Sequence, residues 1–225
     1  MELYVASKNI VSSPDPGTKF TYDALGNRIA KTTNGTETRY VNDISGNLPY
    51  VLAELNSNNQ PQSLYLYVGG LTSLGGTNSS DRLYPISDAI GNVRFVLGSD
   101  GTLLGRYQYD PYGNVTSQEG TVANTFGFAT EQHDPETNLT FLRARYYDPE
   151  TGTFLSRDPV LGPLDTPIEH GEYLYARNNP INLKDPSGEL VELVARRVNG
   201  RAFSPLKAYG THYYLSIIPT PPNLC

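Results

Sequence analysis

The sequence predicts an all-β protein assembled from short antiparallel hairpins. Three observations carry that expectation. Turn formers are dense, with 21 Gly and 17 Pro in 225 residues, above average usage. The runs between them are short and rich in Tyr and Val, and Tyr (17) outnumbers Phe (7), a composition that suits strands. Only 18% of residues are charged, which argues against disorder, and the length is ample for a buried core.

Residues 1–19 read as a lead-in or partial repeat, and 20–138 as a repeat array. One signature recurs there: Asp, two residues, then Gly-Asn. It stands at Asp23 and Gly26, Asp43 and Gly46, Asp88 and Gly91, and Asp110 and Gly113, each Gly followed by Asn. Tyr22 precedes the first copy and Tyr109 the last. The gaps are 20, 45 and 22 residues, so the long middle interval holds a decayed copy, for which Tyr65-Leu-Tyr67-Val-Gly69-Gly70 is the candidate. Asp opens each turn by accepting backbone N–H bonds, and Gly supplies a positive φ.

The flanks alternate as half-buried strands do. Leu103, Tyr107 and Tyr109 share one face against Leu104, Arg106 and Gln108, and Val93, Phe95 and Leu97 oppose Arg94. Each unit of about 20 residues then reads as a hairpin that cannot bury its apolar face alone. Stacking hairpins into a curved strip solves that. A single such turn is generic; four with matching flanks make a repeat. Calcium is the other reading of Asp/Asn/Gly turns, but one Asp and one Asn per copy fall short of six oxygens, so no metal is expected.

Composition also excludes function classes. The net charge is −6, which disfavours nucleic acid as a partner. It divides into +3 over residues 191–225 and −9 before them. No run approaches the roughly 18 apolar residues of a membrane span, and Met1 to Pro16 lacks an export signal. A single cysteine, Cys225, excludes a disulfide framework and a cysteine zinc site. The three histidines (His133, His170, His212) have no metal-ligand spacing. No cofactor is expected.

The Tyr-Asp-x-x-Gly-Asn repeats resemble the YD repeats of RHS proteins and of the teneurin YD shell. The stretch 139–190 resembles the RHS repeat-associated core. Its motifs are Leu142-Arg-Ala-Arg-Tyr-Tyr-Asp-Pro-Glu-Thr-Gly-Thr-Phe-Leu-Ser-Arg-Asp-Pro159, then Tyr173-Leu-Tyr-Ala-Arg-Asn-Asn-Pro-Ile-Asn182, then Asp185-Pro-Ser-Gly188. The resemblance covers about residues 20 to 190. It implies a YD-repeat spiral forming a hollow shell, an irregular Asp-Pro-rich core closing its C-terminal end, and a variable, often toxic, C-terminal segment inside. It also implies a secreted or cell-surface setting in bacterial competition or insecticidal complexes.

In several family members the core is an intramolecular aspartyl protease that releases the segment after a D-P-x-G-L motif. Carried over by resemblance, its carboxylates fall on Asp158 and Asp185 and its arginine on Arg145. Such hydrolysis needs two carboxylates close enough to share a proton. A continuous strand would set Leu139, Phe141, Arg143, Arg145 and Tyr147 on one face, and a buried arginine needs carboxylate partners. Asp185 lies just upstream of its own scissile bond, so proximity helps. Asp-Pro is also a common turn opener, recurring at Asp110, Asp134 and Asp148, so a structural role stays open beside the catalytic one. Glu189 stands where the family has Leu, which leaves Glu189–Leu190 or Leu190–Val191 as the bond. The interval between Asp158 and Asp185 also carries extra residues around Pro163 to His170.

Residues 191–225 form the variable tail. Leu190, Leu193, Val194 and Val198 have helix-like spacing, and 35 residues are too few for an enzyme fold without staples. They read as degenerate or truncated cargo, or as a short plug. The shell reads as truncated too, expected to meet an upstream YD-repeat shell in the same or a separate chain. The leading expectation is an encapsulation module, the cap of a toxin-carrying shell, with self-cleavage near residue 190. An adhesive or carbohydrate-binding β-repeat, its tyrosines stacking on sugars, is the alternative.

Overall fold

A computed structural model of the chain describes residues 17–120, 122, 124–159, 171–189 and 191–193. Among these residues the regular elements are antiparallel strands and short 3-10 turns, with no α-helix. The first sheet runs β1 (Thr18–Tyr22), β2 (Arg28–Thr33), β3 (Thr36–Asp43), β4 (Tyr50–Asn56) and β5 (Pro61–Leu64). The second runs β6 (Leu66–Tyr67), β7 (Leu71–Gly75), β8 (Arg82–Ser87), β9 (Val93–Leu97), β10 (Leu103–Tyr109) and β11 (Val115–Gly120). A third holds β12 (Gln132–Asp134), β13 (Leu139–Leu142), β14 (Arg145–Asp148) and β15 (Thr153–Phe154), and β16 (Leu183–Lys184) pairs with β17 (Glu192–Leu193). In all of them spatial order follows chain order, so the sheets are meanders of hairpins.

Three signature turns close identically. Asp23 donates its N–H to Asn27 O at 2.9 Å, Gly26 N bonds Asp23 O at 3.1 Å, and Asn27 N reaches Asp23 Oδ1 at 2.8 Å. The same bonds recur at Asp88–Asn92 and Asp110–Asn114. Gly26, Gly91 and Gly113 have φ of 83°, 93° and 97°, where other residues resist. The expected fourth copy does not form this loop. Asp43 accepts from Ser45 instead, from its N–H at 2.9 Å and from its side chain, and Asp43 pairs with Tyr50 across a longer connection. Pro49 lies in that connection, just before β4. A turn that the signature search missed does form: Asn56 replaces Asp, Asn59 (φ 60°) replaces Gly, and Gln60 replaces Asn. In the long interval, Gly69 turns the chain between β6 and β7.

The predicted face assignments shift by one residue at bulges. Register slips at Ser87/Ile86 against Val93/Phe95, so Arg94 is the extra residue and Phe95 turns outward while Val93 and Val96 are buried. A slip between Leu103 and Gly105 likewise leaves Leu103 exposed and Tyr107 buried. A one-residue insertion flips the face because strand period is two. At the chain's end, the helix-like spacing from residue 190 is overturned at β17, where pairing with β16 makes Glu192–Leu193 a strand; the rest of that spacing, and the tail after it, lies outside the described residues.

Among the described residues the core gathers in three clusters. Val93, Val96 and Tyr107 pack within the second sheet, and Tyr65, Leu74 and Phe126 at its junction with the first. Phe128, Leu142, Tyr147, Phe154, Tyr175 and Ala176 lie under the third sheet. Signature turns dock on this third cluster's segment: Asn92 Oδ1 accepts from Ala129 N at 2.9 Å, and Asn114 Nδ2 donates to Pro149 O at 2.7 Å.

Candidate functional site

The expected continuous strand from Leu139 to Tyr147 is instead a tight hairpin. Leu142 pairs with Arg145, and Arg143 and Ala144 form the turn, with Arg143 at φ 59°. The hairpin makes the R-A-R run a corner that faces the loop Asp185 to Glu189.

Arg145, at the start of β14, is the centre of the site. Its side chain is 3% exposed, and its Cζ lies 3.6 Å from the Phe154 ring centroid, so the guanidinium has an apolar floor. Nη2 contacts Asp158 Oδ2 at 2.8 Å and Asp185 Oδ2 at 3.4 Å. Those two distances to one nitrogen cap the separation of the two oxygens at about 6 Å. Nη1 donates to Glu172 O at 3.0 Å, and Nε to Gly188 O. Burial pulls the guanidinium down from its usual range, and Asp158 and Asp185 push it back.

The two carboxylates sit differently. Asp185 is 1% exposed. Its Oδ1 accepts from Gly188 N at 2.9 Å, Glu189 N at 3.2 Å and Ser187 Oγ at 3.3 Å. The loop shares with the signature turns a leading Asp, a positive-φ glycine (Gly188, φ 73°) three residues on, and the next N–H returned to the carboxylate, but here the glycine N–H bonds the Asp carboxylate and not its carbonyl. Asp158 is 22% exposed at its side chain, and its N–H bonds Glu172 O at 2.9 Å. One carboxylate is therefore locked and dry, the other partly wet. Tyr175 packs beside the loop, and burial, with Asp185 adding to it, raises its hydroxyl above the usual range. Of the expected cleavage residues, Glu189 is placed by its bonds to Asp185 and Ser187, and Leu190 lies outside the described residues.

Sequence reasoning missed Glu172, whose carbonyl joins Arg145 to the Asp158 backbone, and the pair Arg143 and Glu131. Arg143 Nη1 lies 2.8 Å from Glu131 Oε2, and the same nitrogen donates to Pro186 O. Burial raises the Glu131 carboxyl, and Arg143 opposes the rise. Arg143 stood in the same motif as Arg145; nothing in the sequence flagged Glu131. Among the described residues no group of three or more His, Cys, Asp or Glu is placed to hold a metal ion.

Comparison with known proteins identifies relatives of the chain. The family model for the Teneurin YD-shell matches residues 14–181. The tRNA3(Ser)-specific nuclease WapA of Bacillus spizizenii is 37% identical over 182 residues, covering 80% of this chain and 8% of that protein. Toxin subunit YenC1 of Yersinia entomophaga is 28% identical, covering 75% of this chain and 19% of YenC1. The crystal structure of TcdB2-TccC3 without its hypervariable C-terminal region superposes with a TM-score of 0.58 at 23% identity, over 76% of this chain and 9% of that one. The chain thus spans a small part of the length of the relatives it matches.

Proposed function

The chain belongs to the Teneurin YD-shell family, and from that premise we propose that it is the C-terminal closing part of a toxin-associated shell that cuts its own chain near residue 190. The relatives' names, a nuclease and a toxin subunit, support the toxin setting and a secreted or surface location. Its partners are then the rest of a YD-repeat shell and the segment that follows the cut. No helix among the described residues is long and apolar enough to cross a membrane. The burial of Tyr40, Tyr65, Tyr107, Tyr146, Tyr147 and Tyr175 favours a shell over an adhesive array of exposed rings.

The observation that carries the cleavage reading is the pair Asp158 and Asp185 on one Arg145 nitrogen, with the Glu189 N–H bonded to Asp185. In the proposed step, a water is deprotonated by Asp158, the more exposed carboxylate. Its oxygen attacks the carbonyl carbon of the scissile peptide, and the C–N bond breaks. Asp158 returns that proton to the leaving nitrogen as the bond breaks, and the second proton of the water, left on the new acid group, passes to the amine, so that a carboxylate, a protonated N-terminus and an ionised Asp158 result and atoms and charge balance. Arg145 holds the charge that Asp158 and Asp185 share.

Time-resolved intact mass of the purified chain tests this. The expected product is about 190 residues long and is absent in Asp158→Asn. A folded wild-type chain that stays whole overturns the proposal.

A further inference from the structure

Arg143 has a backbone conformation that glycine adopts freely and other residues resist, φ 59°. A side chain kept at such a corner is there for what it touches. Its guanidinium reaches three separate parts of the chain: Glu131 Oε2 at 2.8 Å, Pro49 O at 3.1 Å and Pro186 O. It also lies 5.4 Å from the Tyr50 ring centroid. Pro49 ends the irregular connection after β3 that replaces a signature turn, and Tyr50 opens β4. The longer loop carries the Pro49 carbonyl to the core.

Beside it, Ala144 N donates to Ser187 O at 3.1 Å, and Arg145 Nε donates to Gly188 O. Three successive residues, 143 to 145, thus hold three successive carbonyls, 186 to 188. The packing is close: a Cβ on Gly188 would meet Leu142 O at 2.3 Å. The grip ends one residue short of Glu189, whose N–H returns to Asp185 Oδ1 at 3.2 Å.

We infer that Arg143 is a positioning residue: with Glu131 as its buried counter-ion and Pro49 as its anchor in the repeat sheet, it fixes the Asp185–Glu189 loop against Arg145. Its consequence for cleavage rests on the self-cleavage reading above. A loop held in one geometry presents its peptide bond at high effective concentration, and one free to swing does not. Through Pro49 and Glu131, the loop is held only when the repeat strip is folded onto the core.

The test is hydrogen exchange at the Gly188 and Glu189 amides of the full chain, in an Asp158→Asn background that keeps it whole. Arg143→Gly suits this corner's φ. Loss of a charged hydrogen bond to the loop should speed both amides by about tenfold or more, and methylguanidinium in the buffer should reverse part of the gain. Because Arg143→Gly leaves Glu131 without its ion-pair partner, Arg143→Gly with Glu131→Gln is the second variant, with the same expectation. Unchanged exchange in both variants overturns the inference. In the Asp158-containing chain, Arg143→Gly should slow product formation by about tenfold or more. If wild type never cleaves but exchange responds, the positioning role stands and self-cleavage falls. If wild type cleaves and exchange does not respond, the reverse holds.

Discussion

Arg28 on β2 and Asp134 on β12 form an ion pair from which solvent is almost wholly excluded, with side chains 1% and 0% exposed. The Arg28 guanidinium also donates to Gln132 Oε1 at 2.6 Å and lies 4.3 Å from the Phe141 ring centroid. Burial alone lowers the Arg28 pKa, yet Asp134 drives it above its ordinary value. The pair ties the first repeat sheet to the core hairpin.

Removing one member of such a pair leaves a buried charge uncompensated, which costs about 3–5 kcal/mol. Asp134→Asn should therefore lower stability by that amount in a denaturant melt. Adding Arg28→Met should cost much less than the sum of the two single changes, because the stranded charge disappears with it. Simple additivity would show that the pair does not act as a unit.

What was legible in the sequence follows from how local each interaction is. The turns at Asp23, Asp88 and Asp110 close within five residues, so residue types announce them. The Asp43 copy has the same residue types and still does not close, whereas the Asn56 turn hid behind three substitutions with equivalent chemistry. Arg28 was invisible because Asp134 lies 106 residues away. The R-A-R run reads as strand because nothing in residue type reveals a left-handed arginine. Asp158, Asp185 and Arg145 follow from family resemblance; their spacing carries no sign of their meeting on one nitrogen.

The positive-φ glycines of these turns are not equivalent, which alanine substitution at the signature Gly113 and at Gly101, in the turn between β9 and β10, will reveal. At Gly113 (φ 97°) a new Cβ would lie 2.5 Å from Phe128 Cγ, in a close-packed core. At Gly101 (φ 82°) nothing lies within 4 Å. Gly101→Ala should cost only the left-handed backbone penalty of about 1–2 kcal/mol. Gly113→Ala adds overpacking of about 1–3 kcal/mol. Equal losses in parallel thermal melts would mean that the turn does not bear on the core.

Stability should fall as pH drops below about 6.5, the ordinary histidine value, in part through His133. Burial lowers the His133 pKa, and Asp134 and Glu136 only partly offset it. With the folded pKa below the unfolded one, the unfolded chain binds the proton more tightly, so stability rises with pH through the window between the two values and is lost below it. His133→Asn should flatten that part of the curve of melting temperature against pH. A curve identical to wild type would exclude His133 from the acid response.

Asp158→Asn and Asp185→Asn should separate chemistry from architecture. Both remove a carboxylate that contacts Arg145 Nη2, and on the self-cleavage reading both abolish the product. Their structural costs differ because their surroundings do. Asp158 is partly exposed, so water compensates part of its loss and its neutralisation should cost less than that of Asp185. Asp185 is buried, and its Oδ1 closes the loop through Gly188 and Glu189. An amide there sets an N–H donor or a weaker acceptor against the Arg145 guanidinium, in a place no water screens. The expected loss is about 3–5 kcal/mol, read by denaturant melts beside intact mass. If Asp158→Asn proves as destabilising as Asp185→Asn, loss of cleavage in either variant would report unfolding, and only the Asp158 variant's retained fold can assign that carboxylate to the chemistry.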